Sequence, residues 1–133
     1  MGTHTKENVP RTLFMQNLQP RFPSEWRLVK YEDNSDEPDR VLVKVRQRGV
    51  SRLKEAPQGF YTTQFVLELV TPETDVTKAE DSLDVALFEL LDILDTINPT
   101  LWQSTEKVFD ALLKRLAYDV TVNLVTNKDG QTP

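Results

Sequence analysis

The sequence contains no cysteine and only one histidine. Without thiols the chain can form no disulfide, thiolate nucleophile, cysteine-ligated zinc site or iron–sulfur cluster. His4 lies in a polar terminal segment that we expect to be loosely ordered, so it is a poor general base. Glycine is also scarce, with four residues, which leaves little material for loops that cradle phosphates. These absences point away from most enzyme classes.

Long apolar runs are missing as well. No segment approaches the roughly 20 apolar residues that span a bilayer, and residues 1–10 lack the apolar stretch of a signal peptide. The sequence also contains no P-loop, dinucleotide-binding fingerprint, nucleophile elbow or HExxH pattern. We therefore expect a protein that is not an enzyme and has no cofactor. Its 133 residues predict a single domain over 1–133, with a core at about residues 9–126 and disordered tails.

The charge of the chain is unevenly distributed. A total of 16 basic and 21 acidic residues give a formal net charge of −5 and a pI near 4.9, which argues against general affinity for nucleic acid. Residues 1–60 carry a net charge of +3, whereas residues 61–133 carry −8. Six bases with no acid between them run from Arg40 to Lys54, and seven acids against one base lie between Asp75 and Asp95. The folded chain should therefore present surfaces of opposite sign.

Two segments have helical periodicity. Residues 8–19 predict a short helix with Asn8 as its N-cap and Pro10 in its first turn. The second helix is predicted to begin after Asp75, a natural N-cap, and to end near Asn98. Its apolar stripe comprises Val76, Ala79, Leu83, Ala86, Leu87, Leu90, Leu94 and Ile97, and its polar side carries Asp81, Asp84, Asp92 and Asp95.

Five segments have the composition and alternation of strands: Trp26–Tyr31, Val41–Arg48, Phe60–Thr71, Leu101–Phe109 and Leu116–Val125. In the second segment the valines at 41, 43 and 45 are predicted to face the core, and Lys44, Arg46 and Arg48 to face solvent. The third segment has apolar residues on both faces, as a central strand does. Residues 49–59 are predicted to form the connection between these two strands.

The fourth strand has a competing interpretation, because residues 104–116 also fit helical spacing. We prefer a hairpin, with Trp102 and Val108 pointing inward and the turn within 110–115. The other aromatic side chains are assigned mostly to the core, apart from Phe60 and Phe109 at strand ends. The element order favours an α+β fold, in which an antiparallel or mixed sheet of about five strands carries an N-terminal helix and one long helix on one face.

Two acidic clusters could in principle bear chemistry. The Glu32–Asp39 loop resembles a cation site in composition, but it lacks the glycine and the ligand spacing of an EF-hand, so a solvated loop is the better interpretation. A metal-dependent enzyme that uses these carboxylates remains an alternative. Asp81 and Asp84 lie close together on the long helix, where a solvated or partner-facing surface is favoured over an acid–base pair.

The basic run from Arg40 to Lys54 also has two interpretations. Charged side chains on a strand can solubilise it and protect the sheet from edge-to-edge pairing. Alternatively, they contact an acidic partner or a phosphate backbone. The acidic balance of the whole chain favours a protein over nucleic acid as that partner.

The sequence resembles the tail terminator proteins of long, flexible-tailed bacteriophages, in particular those of phages that infect actinobacteria. The resemblance covers residues 9–126, and its motifs are structural rather than catalytic. It rests on Leu53–Gly59, on Tyr61–Asp84 through the Thr71-Pro72-Glu73-Thr74-Asp75 break, on Trp102 with Glu106-Lys107-Val108, on Tyr118–Val122, and on Trp26–Tyr31. Ala117 departs from the pattern, since the family often has a small residue, commonly glycine, just before the tyrosine of the last strand.

The resemblance implies a structural protein that forms a hexameric ring on the tail tube, stops tube growth and presents a surface to the head-completion proteins. It implies a location at the head-proximal end of the phage tail in the virion, and in the host cytoplasm during assembly. DNA would pass through the lumen without specific binding, and no membrane is involved. Another neck, connector or tube ring protein is the alternative.

Two sets of residues are hypothesised to serve this role. Those expected to contact a neighbouring subunit or the tube are Arg46, Arg48, Arg52, Lys54 and Phe60. Those expected to line the lumen or an acidic surface are Glu32, Asp33, Asp36, Glu37, Asp81 and Asp84.

Overall fold

In the described part of the chain, five strands form one mixed sheet and two α-helices pack against one of its faces. The computed structural model describes residues 9–30, 39–52, 60–97, 100–111 and 113–127. Its elements are α1 (Pro10–Leu18), β1 (Arg27–Lys30), β2 (Leu42–Arg52), β3 (Phe60–Val70), α2 (Val76–Asp95), β4 (Thr100–Asp110) and β5 (Arg115–Asn127). The strand order is β1-β2-β3-β5-β4, with β1 parallel to β2 and the other pairs antiparallel. The predicted α+β fold is confirmed.

Helix α2 provides much of the core. The Asp75 carboxylate caps it by accepting a hydrogen bond of 3.0 Å from the Lys78 amide, as predicted. The helix ends at Asp95, and Val76 in its first turn is 65% exposed instead of buried. The remaining residues of the predicted stripe are buried, together with Leu91.

One face of the sheet, called the helix face below, packs against α1 and α2. It is built from alternate residues of the three central strands, because successive side chains of a strand point to opposite sides. Phe14 of α1 stacks on Phe65 of β3 with ring centroids 4.7 Å apart. The buried strand residues in this cluster are Val43, Val45, Phe65, Leu67, Leu69, Val120, Val122 and Leu124.

The opposite face, called the open face below, carries a smaller apolar cluster. Leu113, in the turn between β4 and β5, packs there with Leu42, Val70 and Ala117. Since β4 and β5 pair from Thr100↔Leu124 to Asp110↔Arg115, the predicted hairpin is confirmed and the helical alternative is wrong. Cross-strand pairing along the whole of β4 outweighs the local helical spacing.

Two β-bulges change which residues face which side. The pairing shifts between Gln47 and Gly49 in β2, and again between Trp102 and Ser104 in β4. Trp102 is therefore on the helix face, opposite Val122, whereas Val108 is on the open face, opposite Ala117. The prediction that Trp102 and Val108 point to the same interior is wrong, and Trp102 is 39% exposed at the sheet edge.

Other boundaries differ from the predictions for local reasons. Val9, not Asn8, is the N-cap of α1, because a residue before proline is held extended (φ −70°, ψ 152°). Strand β2 continues through Gly49 to Arg52, which pair with β3, so the predicted connection at 49–59 begins too early. Asn8 and residues 53–59 lie outside the described residues.

Candidate interaction surfaces

A row of four charged residues crosses the open face perpendicular to the strands. Lys44 on β2 is paired with Glu68 on β3, Glu68 with Asp119 on β5, and Asp119 with Glu106 on β4. Cross-strand neighbours on one face lie close enough to interact directly. The row places three carboxylates beside one ammonium group, so the open face has mixed charge rather than the basic character predicted from β2 alone.

Lys44 does not face solvent, and the prediction that it does is wrong. Its side chain is 2% exposed, and its Nζ atom lies 3.3 Å from Oδ2 of Asp110 and 3.8 Å from Oε1 of Glu68. A buried ammonium group is tolerated only when opposite charges and hydrogen bonds compensate for the lost hydration. The alternation within β2 could not reveal this, because both carboxylates come from strands distant in sequence.

The three buried groups of this network have linked protonation states. Burial raises the pKa of Glu68 to about 8; the hydrogen bond with Asp110 and the negative charge of Asp110 add to this, whereas Lys44 opposes it. Burial also favours a higher pKa for Asp110, but hydrogen bonds with Glu68, the Leu113 amide and Lys44 outweigh it and lower that pKa to about 2. Together these shifts favour a protonated Glu68 and an ionised Asp110 at neutral pH, with the Asp110 charge beside Lys44.

Arg46 and Arg48 lie next to this row, and both are exposed. They line a polar depression of about 150 Å³ together with Glu106 and Asp119. Burial raises the pKa of Asp119, Arg46 opposes that shift, and Glu106 reinforces it. The structure thus brings two predicted interface arginines together, beside acids of their own chain that sequence reasoning did not select.

The acidic surface of α2 lies on the other side of the sheet. Asp81 and Asp84 are both exposed there, as predicted. Asp84 accepts a hydrogen bond of 3.0 Å from the Tyr118 hydroxyl, and Lys107 Nζ lies 3.8 Å from Asp84 and 3.6 Å from Glu80. Asp84 is therefore tied to β4 and β5, whereas Asp81 borders a shallow groove between α2 and the residues Trp26 and Val41.

The remaining predicted site residues are only partly described. Phe60 begins β3 and is half-buried rather than exposed. Arg52 ends β2, and only its backbone is described. The residues that lie outside the described part of the chain are Glu32, Asp33, Asp36, Glu37 and Lys54.

Exposed apolar side chains gather along β4 and on α2. Phe109 is 63% exposed, as predicted, and Leu101 is 69% exposed at the other end of β4. Phe88, on the outer side of α2, is 66% exposed. Sequence reasoning missed Leu101 and Phe88, although Phe88 falls among the acids of the polar side and could have been noticed there. Exposed apolar groups of this size often mark contact surfaces.

No protein-family model and no curated protein sequence matches this chain. Within the described residues no group of three or more histidine, aspartate or glutamate side chains could hold a metal ion. In the same part of the chain, neither helix has both the length and the apolar character needed to cross a membrane. The charged and apolar surfaces described above are therefore the features on which a functional proposal must rest.

Proposed function

We propose that this protein is a tail terminator of a long, flexible-tailed bacteriophage. In this role it is a non-enzymatic structural protein that forms a ring, caps the tail tube, stops tube polymerisation and provides the surface that joins the head. The observation that carries the proposal is the placement of exposed bases and exposed acids on opposite sides of the sheet. Arg46 and Arg48 are the exposed bases of the open face, where they lie beside Glu106 and Asp119, whereas Asp81 and Asp84 are exposed acids of α2, which covers the helix face. The sequence resemblance over residues 9–126 supports the same role.

Charge separation of this kind suits a subunit of a closed ring. In a cyclic assembly each subunit meets its neighbours through two different patches. Patches of opposite sign favour that head-to-tail contact and disfavour contacts between two identical patches. The ring is a homo-hexamer in this proposal, as the resemblance implies, with the tube protein on one side and head-completion proteins on the other. Arg46 and Arg48 would contact a neighbouring subunit or the tube.

The acidic surface of α2 suits a channel that DNA must cross without binding. Asp81 and the neighbouring acids of α2 would line or border the lumen, where their charge repels the phosphate backbone. The virion tail, at its head-proximal end, is the proposed location. The protein needs no cofactor for this work, because it acts by assembly.

A second candidate is another ring protein of the neck or the tube. The small α+β fold and the charge separation fit such a protein equally well, so only the assembly phenotype distinguishes the two. A metal-dependent enzyme that uses the Glu32–Asp39 carboxylates is a third candidate, from a different class. Calorimetric titration with divalent cations tests that candidate, and stoichiometric tight binding would favour it over both ring proteins.

The deciding experiment is electron microscopy of phage tails assembled with and without this protein. Removal of a terminator yields tubes that are longer than normal and carry no heads. Removal of a neck protein yields tails of normal length that fail to join heads. Normal, complete particles in the absence of the protein would refute both assignments. Restoration of normal tail length by the purified protein is the control for indirect effects of the deletion.

A further inference from the structure

Strands β4 and β1 are the two edges of the sheet. Each pairs with one strand only in the described part of the chain, so its outer backbone groups face away from the sheet. Exposed edges of this length invite pairing with another chain unless they are short, charged, bulged or covered. Strand β4 has 11 residues; its bulge lies between Trp102 and Ser104 and leaves a regular stretch from Ser104 to Asp110, and most of its side chains are exposed, including Leu101 and Phe109. It therefore has the length and apolar character of an edge that another strand covers.

The two edges carry opposite charge. Strand β1 has the sequence Arg-Leu-Val-Lys, with two bases and no acid. Strand β4 and the adjoining flank of α2 present Glu80, Asp84 and Glu106 beside one base, Lys107. An isologous pairing of two β4 edges would bring these acids against their own copies, which is unfavourable. Pairing of β4 with β1 instead brings acids against bases.

Strand direction is compatible with the same arrangement. Following the sheet from β1 to β4, the strands run up, up, down, up and down. If the next copy is related by rotation about an axis along the strands, its β1 runs antiparallel to β4 of the first copy. Antiparallel pairs are slightly more stable per residue than parallel ones. Because the two edges differ, repetition of this contact closes into a ring or continues as a filament.

We propose that β4 of one copy pairs with β1 of the next copy, so that one sheet continues from subunit to subunit. The partner is therefore a second copy of this chain, bound through its basic edge strand. This inference deepens the proposed function and rests on it for the closed ring. The four residues of β1 cover about a third of β4, and the experiment below locates that third.

Site-specific cross-linking tests the pairing, and the absence of cysteine from the chain removes background from native thiols. Arg27, on the open side of β1, is replaced by cysteine in one batch of full-length protein. A second, differently tagged batch carries Leu101→Cys, Ser104→Cys or Glu106→Cys, which sample the open side of β4. The two batches are mixed in two samples, one with the free protein at high concentration and one with the protein bound to tube ends. Both samples are treated with a short bismaleimide. We expect Arg27→Cys to link to at least one of the three.

The controls distinguish the β4–β1 contact from random collision and from other contacts between two copies. Val85→Cys, at a position on α2 whose side chain is 71% exposed, should not link to Arg27→Cys above the level of random collision. Links formed by a β4 cysteine with its own copies, without links to Arg27→Cys, would overturn the proposal in favour of an isologous dimer. No link between β1 and β4 in either sample would overturn it altogether.

Charge reversal provides an independent measurement. Each copy keeps its β4 cysteine and carries a second cysteine at position 29 (Val29→Cys), which leaves Arg27 available for substitution. In these copies Arg27→Glu should slow formation of the β4–β1 cross-link by roughly tenfold. Arg21→Glu, an exposed arginine away from the edge, should leave the rate unchanged. An unchanged rate for both variants would contradict the charge argument. If the protein restores tail length but this cross-link does not form, the β4–β1 pairing is refuted and the proposed function stands. If the cross-link forms but the protein has no effect on tail length, the pairing stands and the proposed function is refuted.

Discussion

Lys44 and Asp110 are 66 residues apart in sequence, yet Nζ of the lysine lies 3.3 Å from Oδ2 of the aspartate. Two strands, β3 and β5, lie between β2 and β4 in the sheet, so the contact spans its centre. Asp110 also accepts a hydrogen bond of 2.9 Å from the Leu113 amide, which links the lysine to the β4–β5 turn. The ion pair is thus part of what fixes the hairpin on the open face.

Replacement of Lys44 by methionine should destabilise the protein by about 3–5 kcal/mol, because it leaves the buried Asp110 charge without its partner. Urea unfolding followed by circular dichroism measures the change. Arg46→Met is the matched control, because Arg46 lies two residues further along the same strand and its side chain is exposed. This substitution should lower the free energy of unfolding by less than about 1 kcal/mol. A loss below 1 kcal/mol for Lys44→Met would show that the ion pair contributes little.

Glu68 should make the protein less stable as the pH rises. Its pKa is raised from 4.5 to about 8 by burial, so between these values the folded state holds a proton that the unfolded state has released. The free energy of unfolding should therefore fall by up to about 1.4 kcal/mol per pH unit across this window. Asp110, whose pKa is lowered to about 2, acts in the opposite sense and loses its contribution as the pH falls below 3.8.

Glu68→Gln should remove the decline above pH 4.5, because the amide still donates to Asp110 but does not ionise. The variant and the natural protein should be similar in stability near pH 4.5 and diverge as the pH approaches 8. Glu89→Gln, an exposed acid of α2, should retain the decline. Parallel pH profiles for Glu68→Gln and the natural protein would contradict the assignment of the slope to Glu68.

Leu83 tests the helix face of the sheet. It is fully buried in the core cluster, and truncation to alanine should cost about 2–5 kcal/mol through lost burial and the resulting cavity. Val85→Ala, on the same helix but 71% exposed, should change the free energy of unfolding by less than about 0.5 kcal/mol. Equal effects of the two substitutions would mean that α2 does not pack on the sheet through Leu83.

Removal of an acid should have opposite effects on stability at the two ends of α2. Asp75→Ala removes the cap on the Lys78 amide and should cost about 1 kcal/mol. Asp95→Ala removes an exposed anion from the last turn and should stabilise the helix by a few tenths of a kcal/mol, since the carboxyl end of a helix is electronegative. Thermal unfolding of the two variants distinguishes the signs, and a stabilising Asp75→Ala would refute the cap.

Reversal of the basic charge should weaken assembly if the proposed function is correct. A variant with Arg46→Glu, Arg48→Glu and Arg52→Glu should bind tube ends or its own copies at least about tenfold more weakly, because attraction to an acidic partner becomes repulsion. The single variants Arg46→Glu and Arg48→Glu are compared with Arg21→Glu, which makes the same change in net charge away from β2. Normal tail length with the triple variant would exclude these arginines from the interface.

Local patterns were sufficient for much of the secondary structure. The 3.6-residue period from Asp75 onward predicted α2 and its cap, and the alternation at 41–48 placed Val43 and Val45 on the core side. Both follow from short-range geometry, since one turn of helix or one step of strand decides where a side chain points. The residues that surround Arg46 were harder to predict from the sequence, because Asp119 and Glu106 come next to it only through strand pairing.

The sequence by itself determined the α+β class, the existence and type of the elements, and the uneven distribution of charge. The tertiary structure decided the strand order, the side on which Trp102 and Val108 lie, and the burial of Lys44. The reason is physical: a bulge of one residue reverses the facing of every residue beyond it, and a lysine is buried or solvated according to carboxylates that only the folded sheet brings within reach.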